Sequence, residues 1–126
     1  MIHRILSIDD EPAFCDIIKF NLEQAGFQVD CAHSGEEALQ MDLASYGLFI
    51  VDINMDDMDG FELVKRIRHR LDTHMIPVIF CSCNDGEDYI VDCLELGADD
   101  YVTKPINMTK LLMRVRTVLR RCYPDL

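Results

Sequence analysis

Asp9 and Asp10, Asp52, and Lys104 are residue types that together can hold a hard cation and a phosphoryl group. Each follows a short apolar run: Ile5-Leu6-Ser7-Ile8, Leu48-Phe49-Ile50-Val51 and Tyr101-Val102-Thr103. If those runs are parallel strands, all four charges emerge at the strands' C-terminal edge, where open α/β sheets bind ligands. Carboxylates held together repel, at about 4 kcal/mol for two charges ~4 Å apart in an effective dielectric of 20. A proton, a base or a cation relieves that repulsion. Two adjacent acids after one strand and one after another suit Mg²⁺, which takes oxygen ligands and keeps waters for substrate oxygens. One carboxylate of such a set can attack phosphorus and become an acyl phosphate. The cation and Lys104 would offset charge on the transferring group. Ser82, ending a fourth apolar run, is placed to bond the product. Any one of these acids alone reads as a solvated loop residue, but five residues at the ends of four runs form a pattern.

The elements that must position them alternate regularly. Strand-like segments cover 4–8, 27–32, 48–52, 77–82 and 99–103, with helix-like segments near 12–25, 34–44, 60–70, 86–96 and 107–121. Five β-then-α units predict a doubly wound, five-stranded parallel sheet with five helices on its two faces. Pro12 suits the first turn of a helix, and Gly26 and Gly97 suit positions just past a helix end. Ser34 with Glu37 has the pattern of a capping box, and Asn107 can cap the last helix. The stripe Phe14, Ile17, Ile18, Leu22, Ala25 has helical spacing, as does Met108, Leu111, Leu112, Val115, Val118, Leu119. Residues 1–122 form one predicted domain, and 123–126 read as the beginning of a linker or tail.

The 126 residues carry 12 basic and 23 acidic side chains, a net charge of −11. That balance argues against nucleic-acid binding by this domain alone, since neutralising phosphates needs clustered Lys and Arg. No apolar stretch approaches a membrane span, and no export signal opens the chain, so a cytoplasmic location is expected. The six cysteines read as small buried hydrophobes in a reducing compartment. Cys81 and Cys83, two apart on a predicted strand, are expected to face one way. The four histidines show no metal-ligand spacing.

With those residues in place, the chain resembles the receiver domain of two-component response regulators. Ile8-Asp9-Asp10-Glu11 is similar to that family's acidic motif, and Asp52-Ile53-Asn54-Met55 through Asp59-Gly60 to its phosphoacceptor loop. Ser82 falls at its switch Ser/Thr, and Gly97 through Pro105 resembles its final segment. The resemblance implies a flavodoxin-like, CheY-like fold and a switch in which Asp52 takes a phosphoryl group from a histidine kinase or a histidine phosphotransfer protein. It implies Mg²⁺ on Asp10, Asp52 and the Asn54 carbonyl, with Asp9 assisting through water. Lys104 and Ser82 would contact the phosphoryl group, Tyr101 would change rotamer, and Pro105 would be cis. The output implied is transcription regulation through a separate DNA-binding domain.

Four features depart from the family pattern: Asp56, Ser82, Ile106 and a set of surface charges. Asp56 stands in place of a proline, which leaves the loop less rigid and more acidic. Ser82 replaces the commoner threonine, and Ile106 replaces an aromatic residue. Asn54, two residues past the acceptor, can hydrogen-bond an attacking water. Finally, Glu95, Asp99, Asp100, Arg114, Arg116 and Arg121 partly resemble charges that pair across a homodimer face formed by the fourth helix, fifth strand and fifth helix. Ile90 and Lys110 break that pattern, so pairing within one chain is an equal alternative. Three rival functions fit less of the sequence. An aspartyl-phosphate phosphohydrolase wants Asp-x-Asp where Asp52-Ile53-Asn54 stands. A dinucleotide or flavin module wants a glycine-rich first turn where Asp9 and Asp10 stand. A receiver-like interaction module that is never phosphorylated needs none of Asp9, Asp10, Asp52, Ser82 and Lys104.

Overall fold

Five short apolar segments pair in parallel, in the order β2-β1-β3-β4-β5. The strands are β1 (Arg4–Ile8), β2 (Gln28–Ala32), β3 (Leu48–Asp52), β4 (Val78–Ser82) and β5 (Asp100–Thr103). The helices are α1 (Pro12–Gln24), α2 (Gly35–Leu39), α3 (Gly60–Arg68), α4 (Glu87–Glu95) and α5 (Met108–Cys122). This is a computed structural model, and it describes residues 3–84 and 86–124.

Side-chain alternation along the strands divides the core in two. Leu6, Ile8, Phe49, Val51, Val78, Phe80 and Tyr101 pack toward Ala38 of α2, Leu63, Val64 and Ile67 of α3 and Cys93 of α4. Ile5, Leu48, Ile50, Ile79, Cys81 and Val102 pack toward Ile18 and Leu22 of α1 and Leu111, Val115 and Val118 of α5. Burial on both faces explains why the strands read as continuous apolar runs rather than alternating ones.

The register brings the strand ends level. Ile8 lies beside Val51, so Asp9 and Asp52 follow at the same height. Asp52 pairs with Cys81, and Ser82 pairs with Thr103, which puts Lys104 one residue beyond. Strand order reverses between β1 and β3, and a crevice opens there at the C-terminal edge.

Helix ends form largely as their residues dictate. Ser34 accepts from the Glu37 amide at 3.0 Å, Asp59 from Glu62 at 2.9 Å and Asn107 from Lys110 at 3.1 Å. Gly26 and Gly97 take φ of 99° and 108°, where a side chain would be strained. The second helix is shorter than its pattern suggests. It ends at Leu39 with Gln40 as its C-cap, and a 3-10 turn over Leu43–Ser45 follows. That turn buries Leu43 and Tyr46 in the core, which a straight continuation to residue 44 would not. The cysteines divide more than expected: Cys15, Cys81 and Cys93 are buried, Cys31 and Cys122 partly so, and Cys83 is exposed. β4 ends at Ser82, so Cys83 has left the strand and does not share the orientation of Cys81. Tyr123 lies against the His3 ring at 5.2 Å and donates to the Gly47 carbonyl at 2.9 Å, while Asp125 and Leu126 lie outside the described residues.

Gly60 lets α3 start directly beneath Asp52. A Cβ there would sit 2.7 Å from the Asp52 carbonyl oxygen and 2.8 Å from the Ile53 Cα. Both are backbone atoms and cannot step aside. Gly60→Ala is therefore expected to lose about 1–3 kcal/mol of unfolding free energy in urea. Gly35→Ala, whose Cβ meets the flexible Met58 side chain, should lose clearly less.

Candidate functional site

Three loops converge at the crevice. Asp9 is fully buried. Its Oδ1 accepts from the Glu11 amide at 2.9 Å and its Oδ2 from Lys104 Nζ at 2.9 Å. Asp52 is 4% exposed and lies 3.6 Å from the same ammonium. One of its oxygens accepts from the Asn54 amide at 3.3 Å. Glu11, at the solvent side, stands 3.9 Å from Lys104. The Lys104–Pro105 peptide is cis.

Asp9, Asp10 and Asp52 each present a carboxylate oxygen, and the three lie within 4.8 Å of one another. The donor set is of the hard-oxygen type that Mg²⁺ takes, and neighbouring ligands of an octahedral ion lie about 3 Å apart, so the side chains would have to converge on it. Asp9 has both oxygens engaged by Glu11 and Lys104, which leaves Asp10 and Asp52 the freer donors. Asp56 and Asp57 line a depression of about 140 Å³ with Asp10 and His33.

The electrostatics follow from burial. Desolvation, and then the Asp9 charge, push the Asp52 carboxyl from 3.8 up to about 6, against the opposing pull of Lys104 and the Asn54 amide. Burial also works to lower the Lys104 ammonium, but its hydrogen bond to Asp9 and the charges of Asp52, Asp9 and Glu11 outweigh that and raise it. One cation faces three carboxylates, so the crevice holds unrelieved negative charge.

Ser82 lies on the opposite side of the sheet from Asp52. Its hydroxyl donates to Asn54 Oδ1 at 2.9 Å and accepts from the Asn84 amide at 3.2 Å. Tyr101 is buried, and its hydroxyl donates to the Asn84 carbonyl. Its ring meets Tyr89 edge-on at 6.2 Å. The structure thus gathers Asp9, Asp10, Asp52 and Lys104 into one cluster, joins Asn54 and Ser82 to it, and sets Tyr101 two hydrogen bonds beyond Ser82, through Asn84. The expectation for Asn54 gains a detail, since its carboxamide oxygen is already engaged by Ser82.

Three residues near the cluster escaped sequence reasoning. Phe14 places its ring 4.1 Å from Lys104 Nζ, although its spacing marks it only as a core position on α1. Asn84 follows the switch position by two and has no charge to draw notice. His33 reaches the Asp9 carbonyl at 3.4 Å through Nδ1.

Asp52 loses its proton near 6 when folded and near 3.8 when unfolded, so the folded state holds more protons between those values. That contribution is fully present below 3.8 and is lost as pH rises through 6. Asp52→Asn is accordingly expected to raise metal-free unfolding free energy at pH 7.5 by about 1–3 kcal/mol, and by about half as much at pH 5. Denaturant melts at both pH values check this; no gain at pH 7.5 would contradict the charge account.

The comparisons agree with this geometry. A family model for the response regulator receiver domain matches residues 5–116. The chain is 28% identical to the chemotaxis protein CheY4 of Vibrio cholerae, at TM-score 0.86, covering 94% of this chain and 99% of that one. A two-component response regulator from Clostridium difficile is 31% identical at TM-score 0.84, covering 96% and 98%. A CheY-like receiver domain protein from Methanospirillum hungatei is 28% identical at TM-score 0.88 over all of both chains. With its acidic crevice, 2-1-3-4-5 sheet and match over nearly the whole length, the chain belongs to the receiver domains of two-component response regulators.

Proposed function

We propose that Asp52 accepts a phosphoryl group from the phosphohistidine of a histidine kinase or histidine phosphotransfer protein, and that this modification switches the domain. The observation that carries the reading is the placement of Asp52: buried, short of positive charge, and 3.6 Å from a lysine ammonium. A carboxylate in that state gains from a reaction that brings a cation to it and gives Lys104 a phosphoryl oxygen to bond. In the transfer, an Asp52 oxygen attacks phosphorus and the P–N bond to histidine breaks. The imidazole nitrogen leaves with the bonding electrons and takes up a proton.

Asp10, Asp52 and the Asn54 carbonyl are the groups that would hold Mg²⁺, with Asp9 acting through water. When bound, the cation would neutralise charge on the transferring oxygens. Lys104 turns from Asp9 and Asp52 toward the phosphoryl group. Ser82 exchanges its Asn54 partner for a phosphoryl oxygen. Tyr101 responds through Asn84, which bonds both Ser82 and Tyr101. New contacts that exist only in the phosphorylated state are what a two-state switch needs. The chemistry is confined to the domain's own phosphoryl group, so no small-molecule turnover is assigned. The phosphohydrolase alternative lacks its second acid at Asn54.

The reading places the domain in the cytoplasm with a separate output, transcription control being the one the resemblance favours. Among the described residues no helix is long and apolar enough to cross a membrane. Arg114 pairs with Asp100 at 2.8 Å and Arg121 with Asp99 at 3.7 Å within one chain. A homodimer through α4, β5 and α5 would have to share or break those pairs.

Incubation with Mg²⁺ and acetyl phosphate tests the proposal, with intact mass as readout. The expected result is one added, hydroxylamine-labile phosphoryl group, absent from Asp52→Ala and without Mg²⁺. No addition, together with no binding of beryllofluoride, would favour the unphosphorylated interaction module.

A further inference from the structure

The ammonium of Lys104 is unusually enclosed for a lysine that must change partners. Its side chain is 12% exposed. It has one hydrogen bond, to Asp9 at 2.9 Å, and two looser ion pairs at 3.6 and 3.9 Å. The Phe14 ring closes another side at 4.1 Å. Phe14 is anchored there twice over. It follows Pro12 by two residues in the first turn of α1, where its amide donates to the Glu11 carbonyl at 3.1 Å. Its ring also packs on the core between the sheet and helices α1 and α5.

We propose that Phe14 is a positioning residue for Lys104, its ring face holding the ammonium at the crevice while leaving the N–H donors for the phosphoryl group. The inference rests on the phosphoacceptor reading. An ammonium has three donors on a flexible stem, and each carboxylate that binds it competes with the phosphoryl oxygens. An aromatic face attracts the same charge without accepting a directional hydrogen bond. Lys104 can therefore pivot from Asp9 toward a phosphoryl group on Asp52 without leaving the ring. The ring also takes the place of water on that side, which strengthens every charge interaction inside. An aliphatic side chain would fill the space but supply no attraction to the cation.

The test compares Phe14→Leu and Phe14→Trp with the unaltered chain. The phosphodonor is acetyl phosphate with Mg²⁺, which removes any contribution of α1 to docking a protein donor. Phe14→Leu is expected to be phosphorylated about five- to tenfold more slowly, with Phe14→Trp near the unaltered rate. Beryllofluoride affinity should follow the same order. Urea melts supply a second arm as a double-mutant cycle. Phe14→Leu should cost more stability with Lys104 present than in the Lys104→Gln background. Leu and Trp variants with equal rates, or a melt cost independent of Lys104, would overturn the proposal. An unaltered chain that takes no phosphoryl group at all would instead overturn the phosphoacceptor reading, and the melt cycle would still decide whether the ring holds the lysine.

Discussion

Lys104 and Asp9 meet at 2.9 Å across 95 residues of sequence, inside a protein edge where Asp9 has no exposure to water. The rest of the site depends on that pair. A buried ion pair is weak evidence for stability, because desolvating two charges offsets most of their attraction. Here the pair is also unbalanced, since Asp52 shares the same ammonium. A fold that keeps such an arrangement bears a standing cost at its crevice. A cation and a phosphoryl group can discharge that cost in a way that solvent cannot, and this ties the electrostatics of the resting domain to its proposed chemistry.

The second consequence concerns how a change at Asp52 reaches the surface. A hydrogen-bonded line runs from Asp52 through the Asn54 amide, the Asn54 carboxamide, Ser82 and Asn84 to Tyr101. It begins on the α1 and α5 side of the sheet and ends on the α3 and α4 side. It passes around the C-terminal ends of the strands rather than through the packed layer. Beyond Tyr101, edge-on contacts continue through Tyr89 of α4 and Phe61 of α3 to Phe80. Breaking the Ser82–Asn54 bond would therefore disturb groups that touch two helices. A continuous set of contacts is a route by which coupling can travel.

Much of this was legible in the sequence, for identifiable reasons. Strands buried on both faces give unbroken apolar runs, and each run ends where its charged residue begins, as at Ile8-Asp9 and Val51-Asp52. The carboxylate cluster follows once those strands are taken as parallel. Short-range capping was also legible, at Ser34 and Asn107, while the Asp59 cap on the Glu62 amide showed only in the fold. What escaped depends on three dimensions. The second helix stops at Gln40 because burying Leu43 and Tyr46 takes precedence over local helical preference. Cys83 turns outward because β4 ends one residue sooner than the 81/83 spacing supposes. Phe14 reads as ordinary core, since nothing in a helical stripe says that a lysine 90 positions later will sit over its ring.

The central claim is that Asp52 sits among uncompensated negative charge, which raises its carboxyl to about 6 and favours a cation, and then the proposed phosphoryl group, at that position. The most direct measurement is a pH titration of the Asp52 side-chain carboxyl carbon by NMR, without and with Mg²⁺. The account predicts a midpoint near 6 in the metal-free domain and a clear downward shift when Mg²⁺ is added. A midpoint near the ordinary carboxylate value of about 4, unmoved by Mg²⁺, would contradict it.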